Sequence, residues 1–488
     1  VTPGSADGSS LLRPLRTPTF RNLILADVVS DIGTFMQSVG AAWLMVSMHA
    51  GPMYVALTQT ASTLPFFLFA LPAGSVGDIV DRRKLVLFTE TWMISVAAIL
   101  AAVTIAGLMT PWLLLAMTFA LSAGDAFETP TWRAILPELV RNEDLPAASA
   151  LNGIEFNFAR AVGPALAGML IAAAGVGTAF VVNVISFAGV IVVVLRWKRP
   201  HRKLTAPPET VGGATVAALR FVRYSPGIRA LTLRSGCVLF FACALLALLP
   251  SVAHGVSDTA IVYGVLLGCF GGGAVLGALV MQPARARWST EIVASTSTVV
   301  LGAAIVTTSA VHQLFALCAV LLIAGGAWII VISLASGLLQ QLAPDWVRAR
   351  VVAVYMLVFQ GAMALGSVLW GYIAVHRSIG AALAWAGAGT AASAALALAI
   401  RFPDATGDVS PWNHWRMPTV VTDVASELER GPVLVAIEYR VPAAHADAFL
   451  QAIRKYERVR RRDGAYRWDV YHDIEDADRY VETFVVST

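Results

Sequence analysis

GSVGDIVDRRK, Gly74 to Lys84, stands between the apolar runs LTQTASTLPFFLFALPA and LVLFTETWMISVAAILAAVTIAGLM. Between soluble elements this charged knot is a surface turn; between membrane spans it is a cytoplasmic connection. Composition decides for the second. Of 488 residues, 57% are hydrophobic and 14% charged, with mean hydropathy +0.70, whereas ordinary soluble domains have about a quarter of their residues charged. Runs of roughly 20 apolar residues, enough to cross a ~30 Å hydrocarbon core, recur on both sides of the knot.

Long apolar windows place spans near 22–47, 54–77, 84–108, 112–136, 149–173, 177–196, 229–252, 259–281, 291–310, 313–340, 351–376 and 379–400. Lysine and arginine collect in short cytoplasmic loops. Here they mark alternate loops, from Arg13, Arg16 and Arg21 through Arg82, Arg83 and Lys84 to Arg348, Arg350 and Arg401. The pattern predicts twelve transmembrane helices with both termini cytoplasmic, in the cell (inner) membrane. The first 21 residues are polar and arginine-bearing and the run that follows lacks a cleavage site, so that run is expected to be a span and not a leader.

The halves repeat. Gly74 and Arg82 recur 203 positions later as Gly277 and Arg285, and PELVR from Pro137 recurs 207 positions later as PDWVR from Pro344. Two six-helix halves of like topology are expected, over 1–197 and 229–401, related by an axis along the membrane normal. A linker of 198–228 joins them, in which Val216, Leu219, Phe221 and Val222 form either an interfacial stripe or part of a solvated connector. A second linker covers 402–430, and a soluble segment covers 431–488.

Several classes are excluded. Cys237, Cys243, Cys269 and Cys318 lie in apolar runs without a CxxC pair or neighbouring histidines, so no metal is expected. The net charge of +4 is scattered among loops, which argues against nucleic acid. GxxxxGK[ST] does not occur, so ATP is not the expected driver, and no cofactor is expected.

Gly74, Asp78, Arg82 and Arg83 match the signature that follows the second helix in the major facilitator superfamily, and the chain resembles that family. Asp81 and Ile79 depart from the pattern. ARAVGPALAG, Ala159 to Gly168, resembles the fifth-helix signature of proton-coupled antiporters through Gly163, Pro164 and Gly168, with Ala159 and Ala167 replacing glycines. GDAFETPTWRAILPELVRNEDLPAASALN and LAPDWVRARVVAVYMLVFQGAMALGSVLWG are similar to enterobactin-exporter-like members, the transmembrane secretion effectors. The resemblance implies export, with helices five and eight meeting and helices one and four lining a central cavity. Read without the family, Gly163, Pro164, Gly168 and the ladder Gly264, Gly268, Gly272 permit close helix approach, with or without a coupling role.

Ionisable groups within spans cost about 2.5 to 3.5 kcal/mol and usually face a cavity or a partner. The first span carries Asp27, Ser30, Asp31, Thr34, Gln37 and Ser38 on one stripe, and the fourth carries Thr118, Ser122, Asp125 and Thr129 with Glu128 close by. Glu90, Glu155 and Arg160 add charge to the third and fifth. Arg160 either pairs with Asp125 or Glu155, or leaves a carboxyl free to carry protons. Asp31 is the first candidate for that role and Asp27 the second. The C-terminal half has only Asp258 between Gly236 and Arg285, so proton coupling is expected in the N-terminal half.

After Arg401 the pattern turns soluble. PVLVAIEYRV alternates with period two, Phe449, Ile453 and Tyr456 mark one helix face, and AYRWDVYH and RYVETFVVS read as two further strands. This order resembles part of a ferredoxin-like domain of the antibiotic-biosynthesis-monooxygenase kind, cut short or completed by a partner. The lone His445 and His472 make no active site, and a regulatory or self-associating module is expected. The fold class is therefore an all-α membrane protein with a small α+β C-terminal segment. Its expected function is proton-coupled export of a small molecule (a drug, siderophore or secondary metabolite) and not catalysis. The competing readings are a membrane-anchored enzyme that works through the tail, and a non-transporting scaffold. The partners expected are that solute, protons and the lipid bilayer.

Overall fold

A computed structural model of the chain describes residues 12–197, 211–402 and 432–486. The helices are α1 (Pro18–Ser47), α2 (Pro52–Ile79), α3 (Arg82–Ile105), α4 (Pro111–Leu139), α5 (Leu145–Ala174), α6 (Val176–Arg196), α7 (Val211–Tyr224), α8 (Pro226–Val256), α9 (Ala260–Arg287), α10 (Thr290–Ala310), α11 (Leu314–Leu342), α12 (Asp345–His376), α13 (Ile379–Ser393), α14 (Leu396–Ala399) and α15 (Ala446–Asp463). Proline opens α1, α2 and α4, where its missing N–H costs nothing. Asp81, Ser289 and Ser378 accept from backbone N–H groups in the first turns of α3, α10 and α13. Gly175, at φ +84°, alone separates α5 from α6, a backbone turn that glycine makes without strain.

Ten of the segments described are long and apolar enough to cross a membrane: α1, α3, α5, α6, α8, α9, α10, α11, Arg350–His376 within α12, and Ile379–Ala399. Charge alternation predicts twelve. The two further helices, α2 and α4, are 28 and 29 residues long, with internal prolines at 65 and 72 and at 130 and 137. Asp125, Glu128, Arg133 and Glu138 lower the hydropathy of α4.

The chain divides into two compact units. The first comprises Val1–Pro208, Arg234–Ala335 and Met356–Arg401. Its largest buried cluster joins α1 and α5 to α8–α13 through Met36, Ile171, Leu245, Leu266, Leu321 and Trp370, and a second joins α1, α2, α3, α4 and α6. Lipid offers no hydrophobic force between helices, so close packing of small residues must hold them. Gly302 on α10 accordingly meets Gly387 and Ala391 on α13, and Gly277 on α9 meets Gly326 on α11.

The second unit comprises Glu209–Leu233, Ser336–Tyr355 and Phe402–Thr488. It contains an antiparallel sheet of β1 (Val433–Arg440), β2 (Arg467–His472) and β3 (Arg479–Val486) in the order β1-β3-β2. Ile453 of α15 is buried, and Phe449 packs on Tyr439 and Tyr480 at 5.2 Å between ring centroids. Helix α7 packs on α15, with Phe221 under the Arg462 guanidinium at 5.3 Å. The expected Val216–Val222 stripe is therefore split: Phe221 is buried, while Val216 and Leu219 are exposed.

At the middle of β3 the fully buried Glu482 accepts from Tyr439 Oη at 2.8 Å, Trp468 Nε1 at 2.8 Å, and Arg460 Nε and Nη2 at 2.9 and 3.1 Å. Burial pushes its carboxyl up, but the bonds from Arg460, Trp468 and Tyr439 outweigh this and hold it below the ordinary value. Burial, with the bond to Glu482, pushes the Tyr439 hydroxyl up to about 12. A depressed carboxyl contributes stability that is present above its unfolded value and lost as pH falls through its folded one. A raised phenol does the reverse, losing stability as pH rises from its ordinary value of about 10 towards the folded one. Hydrogen-exchange protection of β3 in the full-length protein, corrected for the intrinsic pH dependence of exchange, is thus expected to be greatest between these limits and to fall on both the acid and the alkaline side. Protection that rises steadily with pH through the alkaline range contradicts this.

Candidate functional site

The candidate carboxyls come together on four helices. Asp27 and Asp31 lie one turn apart on α1, Glu90 is on α3, Asp125 and Glu128 are on α4, and Glu155 is on α5. The Asp31 carboxyl faces that of Glu155 at hydrogen-bonding range with Asp125 close by, and the carboxyls of Glu90 and Glu128 face each other likewise. Asp27 lies within electrostatic reach of Asp31, Glu155 and Glu128 and faces the Trp132 indole. Two hydroxyls orient the set: Thr89 Oγ1 donates to Glu128 Oε2 at 3.2 Å, and Thr129 Oγ1 to Asp125 Oδ1 at 3.1 Å. Glu90 and Glu155 are buried; Asp27, Asp31, Asp125 and Glu128 are half-buried. A hydrogen bond between two carboxyls requires one of them to supply the hydrogen.

Two sequence expectations change here. Arg160 turns to its own helix, with Nη2 donating to Asn157 Oδ1 at 3.1 Å and its guanidinium 6.0 Å from the Phe156 ring centroid. Among the described residues it forms no ion pair, so the expected pairing with Asp125 or Glu155 is absent. Gln37 leaves the stripe: its Oε1 accepts from Asn183 Nδ2 at 2.6 Å within the buried α1–α6 contact. At 3.6 residues per turn, its place beyond Asp31 turns it to another face of α1. Thr34 is half-buried. A crevice of about 400 Å³ between α1 and α6, lined by Asn22, Leu25, Val29, Ile185, Gly189 and Arg196, contains none of the candidate carboxyls.

The loop residues Arg82 and Arg83 tie helix ends together. Arg82 Nη1 donates to Glu138 Oε1 at 2.8 Å and to the Ala134 carbonyl at 2.9 Å, which joins the loop signature to the PELVR repeat. Arg83 donates to the Val194 and Leu195 carbonyls at 3.0 and 2.6 Å, satisfying groups that α6 leaves open at its end. The side-chain surroundings of Gly74, Asp78 and Asp345 lie outside the described residues.

The fifth-helix motif serves two interfaces. Gly163 meets Phe35 and the Ile32 carbonyl on α1, whereas Gly168 and the Pro164 carbonyl meet Gly264 on α9. A Cβ on Gly264 would lie 2.7 Å from the Pro164 oxygen and 3.0 Å from Gly168 Cα. Gly272 faces open space; Gly271, against Ala161, continues the seam instead, as helical spacing of 3.6 residues favours a step of seven over one of eight. Gly264→Val is expected to lose about 1–3 kcal/mol of stability through overpacking, read as a lower unfolding midpoint of the purified chain. An unchanged midpoint would show that the seam yields.

The profile of the family described as transmembrane secretion effector matches residues 9–488. The chain is 27% identical to the staphyloferrin A transporter of Staphylococcus aureus, over 36% of this chain and 44% of that protein, so this match spans less than half of the relative. It is 26% identical to the multidrug efflux pump Tap of Mycolicibacterium fortuitum, over 72% of this chain and 88% of Tap. Among solved structures it is similar to a mutant of the nucleoside transporter NupG, with a TM-score of 0.66 and 12% identity over 78% of this chain and all of that one.

Proposed function

Because the chain belongs to the transmembrane secretion effector family of major facilitator transporters, we propose that it is a secondary active exporter of a small molecule, driven by protons. The observation that carries this reading is the gathering of Asp27, Asp31, Glu90, Asp125, Glu128 and Glu155 on α1, α3, α4 and α5 without an ion pair among the described residues. Such a set is balanced by protons or by a bound cation, and it lies within helices that a membrane would surround. Efflux relatives such as Tap favour the outward direction.

In this reading α2 and α4 also span, giving twelve helices in two six-helix halves, 1–197 and 229–401, with both termini cytoplasmic in the cell membrane. The halves rock by alternating access, and the loop of Gly74, Asp78, Arg82 and Arg83 latches one end of the cycle. Transport, and not catalysis, is the activity. The order β1-β3-β2 supports a partial ferredoxin-like segment over 431–488, and β1, at the sheet edge, offers a strand for self-association.

Purified full-length protein in liposomes is expected to move solute when a pH gradient is imposed and to stop when an ionophore collapses it. Solute movement indifferent to the ionophore would remove proton coupling. Light scattering of the same preparation reads whether copies pair.

A further inference from the structure

We propose that α7 lies on the anionic lipid surface at which α8 enters the bilayer, and that its opposite face holds the C-terminal segment there. The inference is independent of which solute the chain moves. Its first support is the place of α7 in the chain. Only Ser225 separates it from α8, a helix long and apolar enough to cross a membrane, so the end of α7 is within a turn of the headgroups. The two faces of α7 then differ. Ala218, Phe221 and Ser225 are buried at helical spacing. Against α15, Phe221 lies 5.3 Å from the Arg462 guanidinium and Arg220 Nη1 donates to the Gly464 carbonyl at 3.4 Å. The other face carries Val216, 60% exposed, Leu219, 51% exposed, and the exposed Arg223. A helix side turned to water is ordinarily polar, whereas apolar residues set among arginines suit the headgroup boundary.

Charge is the second support and says which lipid. Between Glu209 and Asp258 the chain has no acidic residue, but it has Arg220, Arg223, Arg229 and Arg234. Arg234 is paired with Glu291 at 2.7 Å. Among the described residues the other three form no ion pair, and Arg220 Nε is buried without a hydrogen-bond partner. Arg229 Nη1 reaches only the Arg223 carbonyl, at 3.4 Å. Three arginines without a counter-charge, next to the start of a span, match the phosphates of anionic lipid, which take several guanidinium N–H groups at once. A zwitterionic surface offers Val216 and Leu219 the same apolar boundary but brings no net charge to the arginines.

Full-length protein in vesicles of phosphatidylcholine alone, and in vesicles with about a quarter of that lipid replaced by phosphatidylglycerol, tests this. Hydrogen-exchange protection of α7, corrected for surface pH, is expected to be greater with phosphatidylglycerol by about fivefold for each arginine engaged, and to lose this gain when salt screens the surface. Exchange in α15 should slow with that in α7. In the phosphatidylglycerol vesicles Arg223→Gln is expected to give up about fivefold of the protection, Arg223→Lys to keep most of it, and Leu219→Asp to abolish the gain. Equal protection of α7 in the two kinds of vesicle would overturn the proposal, as would a gain that Arg223→Gln leaves intact. A gain in α7 that α15 does not share would overturn its second part, the holding of the C-terminal segment. The comparison of the two lipids with unaltered protein decides the matter even if a variant misfolds.

Discussion

In liposomes containing Asp31→Asn, solute movement driven by a pH gradient is expected to fall to the level of empty liposomes, while exchange of solute across the membrane without a gradient persists. Asparagine keeps the shape of the side chain, and its amide can still donate to Glu155, so the α1–α5 contact survives. What it lacks is a group that gains and loses a proton. Asp31 is the member of the set that faces both Glu155 on α5 and Asp125 on α4, so removing its proton chemistry interrupts the set at its centre. Gln37→Leu is the informative contrast. It breaks the buried bond to Asn183 and should lower stability, leaving the dependence of transport on the gradient intact. Gradient-driven movement at the wild-type rate in Asp31→Asn, at matched protein, would take Asp31 out of the coupling chemistry.

The other large effect is expected in the C-terminal segment. Arg460→Leu leaves the Glu482 carboxylate, fully buried on β3, with the Tyr439 and Trp468 donors but no counter-charge, and losing one partner of a buried ion pair costs about 3–5 kcal/mol. Arg460→Lys should recover only part of this, because an ammonium cannot reproduce the paired Nε and Nη2 contacts. Replacing both residues by leucine should recover more, since no charge is then left buried. Hydrogen exchange across β1, β2 and β3 in the full-length chain reads the series. Exchange unchanged in Arg460→Leu would mean that the aromatic packing of Phe449, Tyr439 and Tyr480 holds the sheet by itself.

The long helices of the first unit were legible because each is a largely apolar run bounded by proline, serine or charge, and these signals are local, whereas α7, shorter and amphipathic, reads either as an interfacial stripe or as a solvated connector. The three strands of the tail were legible for the same reason, through alternation of period two. Side-chain partners were not. Asp31 and Glu155 are far apart in the chain, and nothing in either run says that α1 and α5 touch. Arg160 was expected to seek a carboxylate, but Asn157, one turn away on its own helix, takes the guanidinium. Gln37 looked like part of a cavity stripe until Asn183, the polar residue in the run VVNVISF, met it across α1 and α6. Glu482 could have been anticipated: it alternates with Tyr480 and Phe484 on the inward face of β3, where a carboxylate requires donors. Which donors supply it depends on the sheet order and on α15, neither of which is written locally.

The contact between Gly168 and Gly264 has a consequence for how the sequence can change. A core side chain that grows can usually be accommodated by a neighbour that shrinks, so that one substitution rescues another. Across this seam both partners already lack a side chain, and the next surface met is the Pro164 carbonyl, which belongs to the backbone and cannot be exchanged for a smaller group. An enlarged residue at 264 therefore has no size-compensating suppressor on α5, and revertants selected after such a change should restore glycine or alter how the two helices approach.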